Sequence, residues 1–189
     1  MKSWNILIAG VGGQGTLLTS KILGTLAQEA GYDVKVSEVH GMAQRGGSVV
    51  TYVKMADKVY SPIIEYGDAD VLLAFEQLEA LRFAPYVRRG GYILTNTQKI
   101  LPMPVITGKQ PYPAGIIEEL GKYDVTVIAA DALQKALDAG NAKAVNTVML
   151  GMLSRVMGID EQKWLDALRA CVPAKLLDVN LKAFEAGKQ

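Results

Sequence analysis

A glycine-rich turn, GVGGQGTLL at residues 10–18, constrains the fold of this chain more than any other segment. It follows the apolar run Ile6 to Ala9 and precedes an amphipathic pattern that is typical of a helix. Gly10, Gly12 and Gly15 have the G-x-G-x-x-G spacing found where a strand turns tightly into a helix and a dinucleotide phosphate binds. Such a turn leaves the first N–H groups of the helix free for a phosphate or a neighbouring chain. The segment therefore predicts an α/β fold with a contact site at this turn.

The order of strand-like and helix-like segments predicts the fold class. These segments alternate through residues 1–131, and only helical patterns follow in residues 132–189. The uninterrupted apolar run ADVLLAF, residues 69–75, is typical of a strand buried on both faces of a parallel sheet. We therefore expect an α/β fold, with a Rossmann-like, mostly parallel sheet flanked by helices and a helical C-terminal section. Residues 1–189 are expected to form a single domain.

A helix is predicted over Gln77 to Arg88, with Gly90 and Gly91 as its stop. On this interpretation Arg88 and Arg89 lie at the helix C-terminus, where positive charge is favourable to the helix dipole. The next strand is then predicted to begin at Gly91.

The charge balance and the hydropathy pattern exclude several function classes. The chain has 20 basic and 19 acidic residues and a net charge of +1, which does not favour a nucleic acid or an acidic membrane as partner. No apolar run approaches the roughly 20 residues that span a bilayer. The N-terminal segment MKSWNILIAG lacks the apolar core and cleavage site of a signal peptide. We therefore expect a cytoplasmic protein.

The chain holds a single cysteine, Cys171, and a single histidine, His40. A lone cysteine cannot form an intrachain disulfide, and iron–sulfur clusters usually need a set of several cysteine ligands. A zinc site of His and Cys ligands is equally disfavoured. We therefore expect that any metal or cluster chemistry belongs to another chain.

A dinucleotide site also needs an acidic residue about 20 residues after the glycine turn, where it binds the ribose hydroxyls. Glu38 lies at about that separation from Gly15. However, the segment HGMAQRGG, residues 40–47, follows almost at once and would crowd the adenosine pocket. Two interpretations remain: a free-standing NAD(P)-binding protein, and a turn that serves another ligand or only the fold.

The segment EVHGMAQRGGSV, residues 38–49, is a more distinctive motif than the glycine turn. It lies where a loop leaves the carboxyl end of a predicted strand, which is where α/β folds bind ligands. Arg45 could pair with a carboxylate or phosphate through two hydrogen bonds, and His40 could exchange a proton near neutral pH. The alternatives are a structural, hydrogen-bonded histidine and a surface or interface ion pair of the arginine.

Taken together, GVGGQGTLLTSKIL and EVHGMAQRGGSVV resemble the gamma domain of the 2-oxoacid:ferredoxin oxidoreductase family, and within it the enzymes that act on indolepyruvate. The resemblance extends over nearly the whole chain, including NTVMLG at residues 146–151 and VPAKLLDVNLKAFEAG at residues 172–187. It implies a subunit without clusters that supports the coenzyme A-dependent oxidative decarboxylation of aryl pyruvates to aryl-acetyl-CoA. It also implies a larger alpha subunit that carries thiamine diphosphate, magnesium and 4Fe–4S clusters and passes electrons to ferredoxin. This chain alone is expected to be inactive and to bind none of these cofactors.

The resemblance implies that both glycine-rich segments face the active-site region of the partner and contact coenzyme A, its phosphates or the substrate carboxylate. Arg45 is the expected anion contact, and the glycines allow a close backbone approach. Asn146, near the start of a helix, is a further candidate, with a helix–helix hydrogen bond as its structural alternative. Glu38 is expected to hold the loop by accepting backbone hydrogen bonds. No residue is expected to be catalytic, and the expected binding residues are Gly12, Gly13, Gln14, Gly15, His40, Gly41, Gln44, Arg45, Gly46, Gly47 and Asn146.

Overall fold

The structure, a computed structural model, describes residues 2–40 and 46–189, and of His40 only the backbone. Within these residues a single six-stranded sheet forms the centre of the fold, in the strand order β2-β3-β1-β4-β5-β6. The strands are β1 (Trp4–Val11), β2 (Asp33–His40), β3 (Ser48–Ala56), β4 (Ala69–Ala74), β5 (Val87–Asn96) and β6 (Val125–Ala130).

Most of the helical residues follow the last strand. The described helices are α1 (Thr16–Glu29), α2 (Gln77–Phe83), α3 (Met103–Ile106), α4 (Ile116–Leu120), α5 (Ala132–Asp138), α6 (Val145–Met157), α7 (Glu161–Cys171) and α8 (Ala174–Gly187). Side-chain caps begin α2, α5 and α7, where the capping residues are Glu76, Asp131 and Asp160. Asn141 accepts the Lys143 N–H at the 3₁₀ turn that leads into α6. The mostly parallel sheet, flanked by helices and followed by a helical C-terminal section, confirms the predicted fold class.

Strand direction places the loops that follow β1, β2, β4, β5 and β6 at one edge of the sheet. β1, β4, β5 and β6 are parallel neighbours, whereas β3 pairs antiparallel with both β1 and β2. From β1 the chain first builds one side of the sheet and then, from β4 onwards, the other side. The space outside the carboxyl ends of β1 and β4 is therefore the topological switch point, where open α/β sheets bind ligands.

Alternating strand residues build two hydrophobic cores, one on each face of the sheet. In β1, Ile6 and Ile8 belong to the core beneath α1 and the C-terminal helices, while Leu7 and Ala9 belong to the core beneath α2 and α4. Trp164 of α7 lies in the same core as Ile6 and Ile8, so the sheet and the helical C-terminal section share one apolar interior.

Two glycines bring α6 and α8 into close contact. A Cβ atom at Gly151 would collide with the Phe184 carbonyl oxygen, and one at Gly187 would collide with the Val148 carbonyl oxygen. The Gly151 Cβ would also lie 3.0 Å from the Gly187 Cα. Backbones packed this closely leave no space for a side chain, so the helix pair requires glycine at both positions.

The predicted helix over residues 77–88 is wrong in its second half. α2 ends at Phe83, a 3₁₀ turn spans Ala84–Tyr86, and β5 begins at Val87. Pro85 has no N–H with which to continue the α-helix, so the chain leaves α-helical geometry there.

The two glycines interpreted as a helix stop instead belong to an irregularity at the start of β5. Gly90 has a φ of 69°, and a Cβ atom at Gly91 would lie 2.6 Å from a neighbouring valine methyl group. The register between β4 and β5 shifts at this place, as it does at a β-bulge. Arg88 and Arg89 therefore lie in a strand rather than at a helix C-terminus, and Arg88 pairs with Asp70 at 2.7 Å.

Candidate functional site

The glycine turn after β1 lies at the topological switch point and is tied to both neighbouring strands. On the β4 side, the Phe75 N–H donates to the Ala9 carbonyl at 2.8 Å. On the β3 side, the Gly12 N–H donates to the Gly47 carbonyl at 2.9 Å, and the Gly46 N–H donates to the Gly12 carbonyl at 3.4 Å. The glycine turn and the end of the second glycine-rich segment are thus joined through their backbones.

Gln14 connects the glycine turn to β4 and β5. Its side-chain oxygen accepts the Val11 N–H at 2.7 Å, and its side-chain nitrogen donates to the Phe75 carbonyl at 3.0 Å. The same nitrogen lies 3.5 Å from the Gln98 side-chain oxygen, and the Asn96 side chain donates to both the Phe75 carbonyl and this oxygen. The Gln14 side chain therefore holds the turn in position.

The start of α1 favours the approach of an anion. Gly13 and Gly15 have φ angles of 102° and 86°, in the left-handed region that favours glycine. Gly15 is the N-cap of α1, so no side chain accepts the first helical N–H groups, and the first turn holds no acidic residue. The helix N-terminus therefore keeps its partial positive charge.

A cleft of about 510 Å³ opens beside this N-terminus, towards the segment that leads into α6. Gly13, Gln14, Gly15 and Asn146, which were all predicted to contact a ligand or the partner, line it together. The Asn146 side chain packs against Gly15, since a Cβ atom added to Gly15 would lie 3.4 Å from it. Asn146 is only 3% exposed, and its side-chain amide has no hydrogen-bond partner among the described residues. The helix–helix hydrogen bond that was the structural alternative for Asn146 is therefore not formed among the described residues.

The described end of the second glycine-rich segment lines a different cavity. Gly46 and Gly47 border a space of about 500 Å³ on the α2 side of the same edge. Leu101, Met103 and Ile106 also border this space and are 47%, 66% and 61% exposed. This cavity has an apolar rim, whereas the cleft at the α1 N-terminus is rich in hydrogen-bond donors. Gly13, Gln14, Gly15 and Asn146 therefore border one cavity, and Gly46 and Gly47 border another.

Glu38 does not occupy the place that a dinucleotide site needs. β3 lies between β1 and β2, so the end of β2 is two strand spacings, about 10 Å, from β1. The Glu38 carboxylate accepts a hydrogen bond from the Ser20 hydroxyl on α1 at 2.8 Å. This side-chain contact anchors β2 to α1. The loop that Glu38 was expected to hold lies mostly outside the described residues, so its backbone hydrogen bonds stay a prediction from the sequence.

Three predicted binding residues, Gly41, Gln44 and Arg45, lie outside the described residues. His40 ends β2, and its backbone lies opposite Val49 of β3. The roles of these four residues in binding remain predictions from the sequence.

Glu76, which the sequence interpretation missed, organises the loops beside the site. Its buried carboxylate accepts the Leu78 and Glu79 N–H groups at 2.7 and 3.0 Å, and the Ile100 N–H at 3.2 Å. The Tyr112 hydroxyl also donates to it, and burial together with this hydrogen bond raises the pKa of Tyr112. The signal available in the sequence was an acidic side chain between a buried strand and a helix, where it can cap the free N–H groups.

The described residues contain no group of three or more His, Cys, Asp or Glu side chains placed to hold a metal ion. None of the described helices combines the length and the apolar character that crossing a membrane requires.

Comparisons with known proteins link the chain to one group of enzymes. The model of the pyruvate ferredoxin/flavodoxin oxidoreductase family matches residues 5–189. The indolepyruvate oxidoreductase subunit IorB of Thermococcus kodakarensis is 43% identical to this chain over 194 aligned residues, which cover 99% of this chain and 95% of that subunit.

Solved structures share the fold. The gamma subunit of the keto/oxoacid ferredoxin oxidoreductase of Geobacter sulfurreducens matches with a TM-score of 0.73 at 24% identity, covering 97% of this chain and 95% of its own. The 2-oxoglutarate:ferredoxin oxidoreductase of Magnetococcus marinus, solved with 2-oxoglutarate, coenzyme A and succinyl-CoA bound, matches with a TM-score of 0.75 at 21% identity. That match covers 100% of this chain but 31% of the other, so the fold occurs both as a separate subunit and within a longer chain.

Proposed function

Since this chain belongs to the pyruvate ferredoxin/flavodoxin oxidoreductase family, we propose that it is the subunit without clusters of an oxidoreductase for indolepyruvate and other aryl pyruvates. The assembled enzyme decarboxylates the aryl pyruvate, joins the aryl-acetyl group to coenzyme A and passes the electrons to ferredoxin. Residues 1–189 act in this complex as one gamma-type domain, and the complex works in the cytoplasm.

A larger alpha subunit carries thiamine diphosphate, magnesium and the 4Fe–4S clusters in this proposal. Its support is the composition of the present chain, whose one cysteine and one histidine do not suit a cluster or zinc site. The role of this chain is to bind and position the substrates. Its switch-point edge faces the larger subunit and holds coenzyme A or the oxoacid carboxylate. Alone, the chain is inactive.

The observation that carries the proposal is the junction of the two glycine-rich segments at the switch point. The backbone bonds from Gly12 to Gly46 and Gly47 hold both segments at the edge where α/β sheets bind ligands. Glycines there allow a close approach of coenzyme A to the backbone, and Arg45 supplies the anion contact. The insertion of β3 beside β1 disfavours the alternative, a free-standing NAD(P)-binding protein, because it moves Glu38 away from the turn.

Assembly with the larger subunit is tested through the apolar rim at the same edge. Met103 and Ile106 are large apolar side chains with more than half of their surface exposed, which is typical of a contact surface. We expect the double variant Met103→Glu/Ile106→Glu to weaken association with the larger subunit at least tenfold, because two charges would lose water in the interface. Co-expression followed by affinity purification and size-exclusion chromatography measures the association.

The control for this variant is Leu137→Glu, which adds a charge at a 49% exposed leucine of α5. It is expected to co-purify with the larger subunit as the unchanged chain does. If the unchanged chain does not associate with the larger subunit at all, the proposed function is wrong. If the double variant associates with the larger subunit as the unchanged chain does, the interface lies elsewhere on the surface.

A further inference from the structure

We propose that β6 is a contact between two copies of this chain, which pair their β6 strands antiparallel about a two-fold axis and join their sheets. β6 (Val125–Ala130) is the last strand in the order of the sheet and has β5 on one side. Among the described residues, no strand lies on its other side. The inference goes beyond the proposed function, because it concerns the contact of this chain with itself and not with a larger subunit.

The two edges of the sheet differ in charge. β2, the strand at the other edge, carries Asp33, Lys35 and Glu38. Charged side chains are typical of an edge strand that stays unpaired, because pairing would remove them from water. β6 has the sequence VTVIAA, which contains four β-branched residues, no charge and no proline. An edge strand of this composition favours pairing with a further strand.

The backbone of β6 determines which of its residues face outwards. The Asp124 and Ala130 carbonyls accept the N–H groups of Gly90 and Thr97 on the β5 side, at 2.8 and 3.0 Å. Since strand residues alternate in this respect, the even-numbered residues of β6 turn their backbone groups towards β5, and odd-numbered ones such as Val127 turn theirs outwards. In an antiparallel pair, the outward residues of one copy bond to the outward residues of the other.

Ile128 sets the register of this pair. It is 36% exposed and borders a groove of about 380 Å³ together with Met152 of α6 and Gly187 of α8. Because its backbone groups face β5, Ile128 can lie opposite the Ile128 of the second copy in a non-hydrogen-bonded position, where cross-strand side chains are closest. Each isoleucine then covers the other, and the two grooves meet along the joined edge.

Asp124 and Arg155 give this register complementary charges. Asp124 follows the alternation of the strand on the Ile128 face, and the register places it opposite Ala132 of the second copy, beside the groove that Arg155 borders. Within the described part of the chain, both charged side chains are exposed and have no ion-pair or hydrogen-bond partner. The Asp131 carboxylate at the same groove already caps α5.

The two-fold axis forms the contact between Asp124 and Arg155 twice, once in each direction. An uncharged strand with an acid before it and a cation beside its groove is therefore complementary to itself. This self-complementarity favours a second copy of the chain over an unrelated extended segment.

Sedimentation of the purified full-length chain over a range of concentrations tests the pairing. We expect a monomer–dimer equilibrium with a dissociation constant below about 100 µM, as is typical of a small interface. Ile128→Lys is expected to weaken the dimer at least tenfold, because it places two ammonium groups opposite each other. Val36→Lys adds the same charge at a 40% exposed residue of the other edge strand, β2, and is expected to leave the equilibrium unchanged.

A charge exchange tests the register. Asp124→Arg and Arg155→Asp each bring like charges together, and each is expected to weaken the dimer about tenfold. The double variant Asp124→Arg/Arg155→Asp makes the charges opposite again and is expected to return the dissociation constant to within about threefold of that of the unchanged chain. The thermal unfolding midpoint of each variant identifies a loss of dimer that comes from misfolding.

The inference is overturned if the unchanged chain stays monomeric at about 100 µM. It is also overturned if folded Ile128→Lys dimerises as well as the unchanged chain, or if the double variant dimerises no better than the single ones. These measurements use this chain alone, so their outcome is independent of whether it associates with a larger subunit.

Discussion

Replacing Gly151 by alanine is expected to destabilise the chain by about 3 kcal/mol, because the added methyl group collides with the backbone of α8. The new Cβ meets the Phe184 carbonyl oxygen and lies 3.0 Å from the Gly187 Cα, and backbone atoms cannot swing aside as a flexible side chain can. α6 and α8 must separate, which opens the core that contains Trp164 and Phe184. Urea unfolding of the purified chain measures the loss as a shift of the midpoint.

Gly24→Ala is the matched control for this substitution. Gly24 lies inside α1, and a Cβ atom there would meet nothing within 4 Å. Alanine at this position is expected to stabilise the chain by about 0.5–1 kcal/mol, because it lowers the backbone entropy of the unfolded chain. The same added methyl group is thus expected to have opposite effects in α6 and in α1. An unchanged unfolding midpoint for Gly151→Ala would contradict the close packing of α6 on α8.

Asn146→Asp is expected to lower kcat/KM for coenzyme A about 100-fold in the assembled enzyme, which corresponds to about 2.7 kcal/mol. The substitution keeps the shape of the side chain but places a carboxylate in a buried position that lines the cleft at the glycine turn, where coenzyme A is proposed to bind. Repulsion between this carboxylate and the phosphates of coenzyme A outweighs the loss of a single hydrogen bond. Steady-state kinetics with coenzyme A as the varied substrate measure the change.

Two further variants separate charge from shape in this experiment. Asn146→Ser keeps a neutral donor and is expected to lose only about fivefold in kcat/KM, since it forfeits about one hydrogen bond. Gln162→Glu adds a charge at an exposed position of α7 and is expected to leave the kinetics unchanged. Equal losses in Asn146→Asp and Asn146→Ser would show that the negative charge has no effect, which contradicts a coenzyme A phosphate beside Asn146.

Local patterns in the sequence were sufficient to predict the fold class. The apolar runs of β1 and β4 and the glycine turn between β1 and α1 are each contained within a few residues, so pattern and turn chemistry identify them. The error at residues 77–88 arose because Pro85 and the glycines at 90 and 91 fit either a helix end or the start of an irregular strand. Contact between β4 and β5 decides between these possibilities, and no local pattern reports that contact.

The order of strands in the sheet also could not be predicted from local sequence patterns. A glycine turn followed by an acid at Glu38 is compatible with a parallel β2 beside β1, as a dinucleotide site requires. In the structure β3 returns antiparallel into that place, and Glu38 bonds Ser20 instead. Pairing between segments distant in the sequence sets this order.

Individual residues that line the candidate cleft were identified from the sequence, but their grouping in space was not. Gly13, Gln14, Gly15 and Asn146 do meet in one cleft, although Asn146 is far from the glycine turn in the sequence. Gly46 and Gly47 border the neighbouring apolar cavity on the α2 side, although their backbones are hydrogen-bonded to Gly12 of the glycine turn. Lys143 and Gln98 also line this cleft but were not predicted, since an exposed lysine and a loop glutamine carry no distinctive pattern.

We propose above that this chain completes an aryl-pyruvate oxidoreductase whose cofactors lie on a larger subunit. The most direct measurement is the rate of ferredoxin reduction with indolepyruvate and coenzyme A by the larger subunit alone, by this chain alone and by the two together. We predict turnover only when both chains are present, with a rate that depends on indolepyruvate and on coenzyme A. Full turnover by the larger subunit without this chain, or reduction of a nicotinamide by this chain alone, would contradict the claim.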